Sequence, residues 1–368
     1  MHVGYTALFQ NPDNALPDAE VYRQEVRLAE LAEPLGFDSI WGVEHHFTDY
    51  TMCPDVLQFL TYMAGRTSRV KLGSSVIVLP WHDPMRVAEQ ISLLDHLSGG
   101  RMILGFGRGL GNVEFSGFRI DQGEGRARFV EYAELLTEGL ERGWLEGGAI
   151  TAQPRRDIRP FPLRSFRGRT YAAAVSPESM PIMARLGVGL LVIPQKPWEV
   201  VRQDFALYHE EWAKHHRTPP PPPLCGGFFF VDEDPARAEA MAYTWITRYY
   251  HTAMKHYEMT GEKFGRHEGY EFYRGVGKYI AKHGLDSAAK DFADLMPWGS
   301  PKQVLEKIAH IREVIAPNAI MATLSYAGMP YDEAERNMRC FAAHVLPELR
   351  GWPAAPLVEP DALDIRAA

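Results

Sequence analysis

The sequence predicts an α/β fold, a single (β/α)8 TIM barrel with insertions after strands 4 and 7. Three observations lead there. Eight strand-like apolar runs are each followed by a helix-like segment, an alternation that implies a parallel sheet. No internal linker divides the 368 residues, a length that closed α/β barrels commonly reach. An open doubly wound sheet, the alternative, should carry Gly-x-Gly-x-x-Gly after its first strand. Here that turn reads Gln10-Asn11-Pro12-Asp13-Asn14. Residues 1–350 are expected to form the barrel and 351–368 a C-terminal tail, and there is no internal repeat of solenoid length.

The elements follow in order. His2 to Phe9 reads as strand one. Asp18 is a candidate N-cap for a helix in which Val21, Leu28 and Leu31 recur at helical spacing up to Gly36. Ser39 to Val43 is strand two, and Glu44 to Cys53 a polar, aromatic loop. Pro54 is expected to open a helix to Thr67. Val70 to Leu79 is strand three, and Pro84 opens a helix ended by Gly99-Gly100. Arg101 to Gly107 is strand four. Gly123 to Trp144 reads as a long helix carrying Phe129, Leu135, Leu136 and Leu140.

From Leu145 to Arg169 the periodicity fails, which predicts a surface excursion. Thr170 to Val175 is strand five, with a helix from Pro177 to Gly187. Gly189 to Ile193 is strand six, with a helix from Pro197 to His216. Five consecutive prolines, Pro219 to Pro223, must be extended. Leu224 to Val231 is strand seven, and Asp234-Pro235 starts a helix to Met259. Thr260 to Trp298 is long, Gly-rich and charged with only a weak central helix, the pattern of a lid. Pro301 to Ile315 is helical, Ala319 to Ser325 is strand eight, and Asp332 starts a final helix.

Composition excludes several functions. A formal net charge of −8 argues against a nucleic-acid surface, which needs clustered Lys and Arg. Cys53, Cys225 and Cys340 are odd in number and form no Cys-x-x-Cys, so neither a disulfide framework nor a zinc knuckle is expected. The N-terminus lacks a signal-peptide pattern, and no apolar run is long enough to span a membrane. These features lead to the expectation of a cytoplasmic protein without a membrane partner.

Three clusters at the carboxyl ends of strands carry chemistry. Glu44-His45-His46 follows strand two. A histidine there can act as a general base near neutral pH, or can simply bond backbone at the barrel rim. Adjacent histidines on extended chain point to opposite sides, so no shared metal is expected. Gly105-Phe106-Gly107-Arg108-Gly109 follows strand four. Its glycines allow close backbone approach and Arg108 can grip a phosphate, or pair a surface carboxylate. Val175-Ser176-Pro177-Glu178-Ser179 follows strand five, where Ser176 can cap the next helix or help to hold an anion.

Together, Gly36-Phe-Asp-Ser-Ile-Trp41, Glu44-His45-His46-Phe47-Thr48, Lys71-Leu-Gly-Ser-Ser-Val-Ile-Val-Leu-Pro80 and Leu104-Gly-Phe-Gly-Arg-Gly-Leu110 resemble the bacterial luciferase-like flavin monooxygenases. The resemblance runs, more weakly, to about Leu349. It implies FMN at the carboxyl rim, with His45 serving the flavin chemistry and His46 beside it. It maps the phosphate arginine onto Arg108 and the phosphate serine onto Ser176, with Ser179 at a neighbouring hydroxyl. Glu44, Ser74, Ser75, Leu110 and Val175 complete the implied cofactor contacts. The Ser74–Ser75 peptide aligns with a non-prolyl cis bond behind the flavin, and 261–298 with a mobile active-site loop. The chain departs from the light-emitting subunit at Phe106, where a reactive cysteine stands there, at Val175, where a glutamate stands, and over Pro80-Trp81-His82-Asp83-Pro84.

The resemblance therefore implies a two-component monooxygenase. Reduced FMN comes from a separate NAD(P)H:flavin reductase, O2 adds at the flavin C4a position, and a small organic substrate is oxygenated. Hydroxylation, Baeyer–Villiger insertion and carbon–heteroatom cleavage all remain open, and a homodimer or heterodimer is implied by family. Two alternatives stand beside it: a deazaflavin (F420)-dependent oxidoreductase, and a non-catalytic flavin-binding partner subunit.

Overall fold

The computed structural model describes residues 1–259 and 270–353. Its centre is a closed barrel of eight parallel strands: His2–Ala7, Ser39–Gly42, Lys71–Ser74, Met102–Gly107, Thr170–Ala173, Gly189–Val192, Leu224–Phe228 and Ala319–Thr323. Each pairs with the next, and strand eight returns to strand one. The register places Ala7, Gly42 and Ser74 at one level of the ladder. The loops that follow these strands therefore leave from one rim.

The opposite end is packed solid. Trp41 is fully buried among Ile103, Tyr171, Leu191 and Met321. Its indole N–H donates to Ser39 Oγ at 2.7 Å. Gly4 and Gly73 have no side chain because Trp41 occupies that space: an added Cβ would lie 2.4 Å and 2.2 Å from the indole. Ligand access is thus confined to the carboxyl rim, as barrels of this type arrange it.

Helices cover the outside, and their ends obey local rules. Asp83, Asp234 and Ser300 accept backbone N–H groups at their N-caps, and left-handed Gly36, Gly99 and Gly187 close helices. Inside, Arg169 donates to both carboxylate oxygens of Asp95 at 2.6 and 2.8 Å. That buried pair ties the start of strand five to the helix Pro84–Ser98.

Several expectations change. The helix after strand two is Val56–Arg66 and begins at Asp55, which accepts the Gln58 N–H; Pro54 lies outside it. Asp18 is the first residue of its helix and Pro17 its N-cap. Strand three breaks after Ser74, and Ile77–Val78 resumes against strand four. The long helix is Gly125–Arg142, stopped by left-handed Gly143. Trp144–Gly147 then pairs with Gln153–Asp157 as an antiparallel hairpin, so the insertion after strand four has structure of its own.

The insertion after strand seven is more regular than its composition predicts. Helices Glu271–His283 and Leu285–Asp294 fill most of it, and Trp298–Gly299 pairs with Phe230–Val231. Residues 260–269 of the expected lid lie outside the described residues. The final helix begins at Tyr331, and Leu346–Gly351 adds a further turn. Among the described residues the three cysteines are free and no helix is long and apolar enough to cross a membrane.

Candidate active site

A cavity of about 880 Å³ opens at the carboxyl rim. Its walls contain Glu44, His45, Ser75, Arg108, Leu110, Val175, Ser176 and Ser179, so all three sequence clusters meet in one space. Ser74 and His46 do not line it.

Ser74 is fully buried in the barrel wall. Its hydroxyl donates to Gly105 O at 2.8 Å and accepts the Gly105 N–H at 2.9 Å. A Cβ on Gly105 would sit 2.0 Å from Ser74 O, so that glycine is needed for the close approach. The cis peptide is Ser75–Val76, one residue beyond the Ser74–Ser75 bond that the resemblance indicated. The reason is the ladder: Ser74 still pairs with Gly42, and Ser75 N–H donates to Gly42 O at 2.8 Å. The chain leaves the sheet only after that bond.

His46 turns away from the cavity, as alternation along extended chain requires. It packs on Trp81 and Phe118, with ring centroids 5.4 and 4.7 Å away. Its Nε2 meets Glu44 Oε1 at 3.1 Å, and His82 Nε2 meets the same oxygen at 2.7 Å. Glu44 Oε2 accepts the Val78 N–H at 3.0 Å. Burial acting alone would raise the Glu44 pKa, but these donors hold the carboxyl below its ordinary range. Burial likewise opposes charge on His82, yet the Glu44 carboxylate raises its pKa overall. Glu44 therefore clamps the rim loops after strands two and three.

His45 faces the cavity. Its Nδ1 lies 2.9 Å from Glu114 Oε1 and its Nε2 lies 3.3 Å from Tyr257 OH. Glu114 also accepts the His46 N–H at 3.0 Å, and its Oε1 lies 3.5 Å from His256 Nε2. Burial would push the Glu114 pKa up; the facing His45 and His256 instead hold it at about 2. Burial lowers the His256 pKa, and Glu114 only partly offsets this. His256 Nδ1 meets Thr48 Oγ1 at 2.8 Å. Tyr50, Tyr249 and Phe228 continue this wall, with Tyr50 OH and Tyr249 OH 2.6 Å apart.

The other wall is cationic. Arg108 stacks over the Tyr270 ring at 4.1 Å. Arg126, in the first turn of Gly125–Arg142, also lines the cavity, and its Nη2 is buried with no hydrogen-bond partner among the described residues. Both arginines bear on Tyr270: burial raises its phenol pKa and the two guanidinium groups oppose that. Ser176 Oγ lies 2.9 Å from Ser179 Oγ. Ser176 occupies the N-cap position of Pro177–Ser179 but makes no side-chain cap bond, so the expected capping role is absent and its hydroxyl faces Ser179. Lys196 donates to Val175 O at 2.8 Å and pairs with Asp204, fixing the loop after strand five. Phe106 points outward against Phe129 and takes no part in the cavity.

Sequence reasoning missed Glu114, Arg126, Tyr257 and His256. Glu114 reads as an ordinary acidic residue in a helix's first turn, and Arg126 as a surface residue of a helix start. Only the doubled glycines of Gly123-Glu-Gly-Arg126 hinted at close packing there.

A closed barrel that gathers a histidine, two arginines and two serines in one cavity at its carboxyl rim has the arrangement of a TIM-barrel enzyme. Residues 1–316 match the family described as luciferase-like monooxygenase, and the chain belongs to that family. It is a flavin-dependent monooxygenase. The alkanal monooxygenase alpha chain of Photorhabdus luminescens is 24% identical over 341 residues, covering 90% of this chain and 92% of that protein. The crystal structure of monooxygenase RslO1 from Streptomyces bottropensis is 26% identical, with a TM-score of 0.75 over 95% of this chain and all (100%) of that one. The fold is also that of the oxygenating constituent of 3,6-diketocamphane monooxygenase from Pseudomonas putida, a type II Baeyer-Villiger enzyme in complex with FMN. There the identity is 16% and the TM-score 0.74, over 95% of this chain and 99% of that one.

Proposed function

We propose that the chain oxygenates a small organic substrate with O2 and reduced FMN, the latter supplied by a separate NAD(P)H:flavin reductase. The observation that carries this reading is that Arg108, Arg126, Ser176 and Ser179 line the same cavity as His45. Two guanidinium groups, one with a nitrogen that has no partner among the described residues, match a phosphate dianion in charge and donor count. When bound, reduced FMN supplies the electrons that activate O2.

The residues then divide the work. Arg108, Arg126 and the two serines neutralise and orient the phosphate. Ionised Glu114 draws the ring hydrogen of His45 to Nδ1, which leaves Nε2, facing the cavity and Tyr257, to take or return a proton. The Tyr50, Tyr249, Tyr257 and Phe228 wall excludes water, which would otherwise divert activated oxygen to hydrogen peroxide. The substrate occupies the remaining, mostly aromatic part of the cavity.

Anaerobic titration of the purified protein with reduced FMN, followed by mixing with oxygen in a stopped-flow spectrometer, tests the proposal. A long-lived oxygenated flavin absorbance supports it. Binding of reduced deazaflavin in preference to reduced FMN, with no oxygen-dependent signal, would replace it by the F420 alternative. His45→Ala should retain FMN binding and lose about 10²- to 10⁴-fold in product formation. Full activity in that variant removes His45 from the mechanism.

A further inference from the structure

We propose that His45 Nδ1, a Glu114 carboxylate oxygen and His256 Nε2 form a binding site for one divalent transition-metal ion, with zinc the best match to two imidazoles and a carboxylate. The proposal stands on the protein alone and does not depend on the flavin reading. The three ligand atoms lie within 4.8 Å of one another. His45 Nδ1 to Glu114 Oε1 is 2.9 Å, and Glu114 Oε1 to His256 Nε2 is 3.5 Å. Ligand atoms around a tetrahedral zinc ion stand about 3.3 Å apart, so two of the three edges already have the right length. The third, His45 Nδ1 to His256 Nε2, is no longer than 4.8 Å.

Two atoms of the cluster are otherwise unexplained. Glu114 Oε2 and His256 Nε2 are both buried and have no hydrogen-bond partner among the described residues. His256 Nε2 lies 3.5 Å from Glu114 Oε1, at the outer limit of a hydrogen bond. The side chains of Glu114 and His256 are 0% and 1% exposed. Buried polar groups are normally satisfied, so such a pair points to a ligand between or beside them.

Gly111 packs directly against the cluster. A Cβ at that position would lie 2.7 Å from Glu114 Oε2 and 3.3 Å from His256 Nε2, the same two atoms. Gly111 has a φ of −68°, which alanine adopts without strain. Backbone conformation therefore does not demand glycine here; the Glu114 carboxylate and the His256 ring pack so closely on Gly111 that a Cβ would displace them.

The surroundings orient the ligands as metal sites do. The second nitrogen of each imidazole meets a hydroxyl: His256 Nδ1 meets Thr48 Oγ1 at 2.8 Å, and His45 Nε2 meets Tyr257 OH at 3.3 Å. The His46 N–H fixes Glu114 Oε1. His45 and Glu114 line the cavity, which gives an ion its entry path. Binding moves the ring hydrogen of His45 from Nδ1 to Nε2, where it faces Tyr257 OH, so the imidazole stays neutral and the metal-bound state is not the proton-accepting state proposed above.

Flavin-free, full-length protein stripped with a chelator and titrated calorimetrically with zinc chloride is the test. The expected result is one equivalent bound, with cobalt(II) giving the absorption of a low-coordinate site. His256→Ala and Gly111→Ala should each weaken zinc binding more than about tenfold, and Thr48→Val about tenfold. Thermal melts of the metal-free variants show whether they fold, and Gly111→Ala keeps all three ligands should His256→Ala fail to do so. No zinc bound by the wild-type protein would overturn the proposal, since the space then holds water. Zinc bound with unchanged affinity by folded His256→Ala or Gly111→Ala would also overturn it.

Discussion

Glu114 Oε1 lies 2.9 Å from His45 Nδ1, although 69 residues separate them in the chain. The contact joins the loop after strand two to the short helix Asn112–Gly117 after strand four. It makes one unit of His45 and the chain segment that continues from Arg108. On the proposed reading, changes at this contact act on turnover, and changes at Arg108 or Arg126 act on binding.

Replacing Glu114 by glutamine keeps the shape and removes the charge. The amide no longer holds the His45 hydrogen at Nδ1, so the ring loses its fixed tautomer. Product formation should fall tenfold or more while FMN affinity changes by less than about threefold. Turnover with a flavin reductase present, set against fluorescence titration of FMN, separates the two effects. Parallel loss of binding and turnover would assign Glu114 to the cofactor site instead.

Arg108→Ala and Arg126→Ala should act on binding. Each removes a charge-assisted contact to an anion, an effect of about 1.5–3 kcal/mol, or roughly 10- to 100-fold in the FMN dissociation constant. The loss should shrink at high salt for neither variant as much as for a surface lysine, because both arginines are half-buried in the cavity wall. An unchanged dissociation constant for Arg126→Ala would leave its unpartnered nitrogen without a function.

Asp95 and Arg169 are 0% and 4% exposed and bond in a fork. Asp95→Ala strands a buried guanidinium and should cost about 3–5 kcal/mol in urea unfolding. A loss under about 1 kcal/mol would mean that the bonds Arg169 already donates to the carbonyls of Met102, Arg164 and Ser165 suffice to hold it.

Glu25 gives a prediction about pH. It is buried beneath strand eight and accepts a bond from Ser325 Oγ at 2.7 Å. Burial raises its pKa from 4.5 to about 7, the hydrogen bonds opposing only in part. A raised carboxyl pKa means that the folded state binds the proton more tightly than the unfolded state. Its favourable contribution is complete below pH 4.5 and is lost as pH rises to about 7. The loss is on the order of 3 kcal/mol, and Glu25→Gln should abolish this part of the pH dependence and be the more stable protein at pH 8. Denaturation curves at acidic and alkaline pH check it; an equal response of both proteins would show that Glu25 is ionised in the fold without penalty.

The amino-acid order by itself determined the barrel. Apolar period and helix caps are local signals, set by neighbours a turn or two away, and Pro84, Gly99, Asp234 and Pro301 can be read without knowing the fold. It also determined that Glu44-His45-His46, Arg108 and Ser176 follow strands, and parallel closure then sends such loops to one rim. It misjudged the region from 271 to 294, where Leu285–Asp294 packs on Pro235–His256 and Glu271–His283 packs on Leu285–Asp294. Tertiary structure alone decided which histidine faces the cavity, where the cis peptide falls, and that Glu114, His256 and Arg126 join the site. Those outcomes depend on side chains from distant loops competing for the same buried volume, and that competition exists only once the barrel has closed.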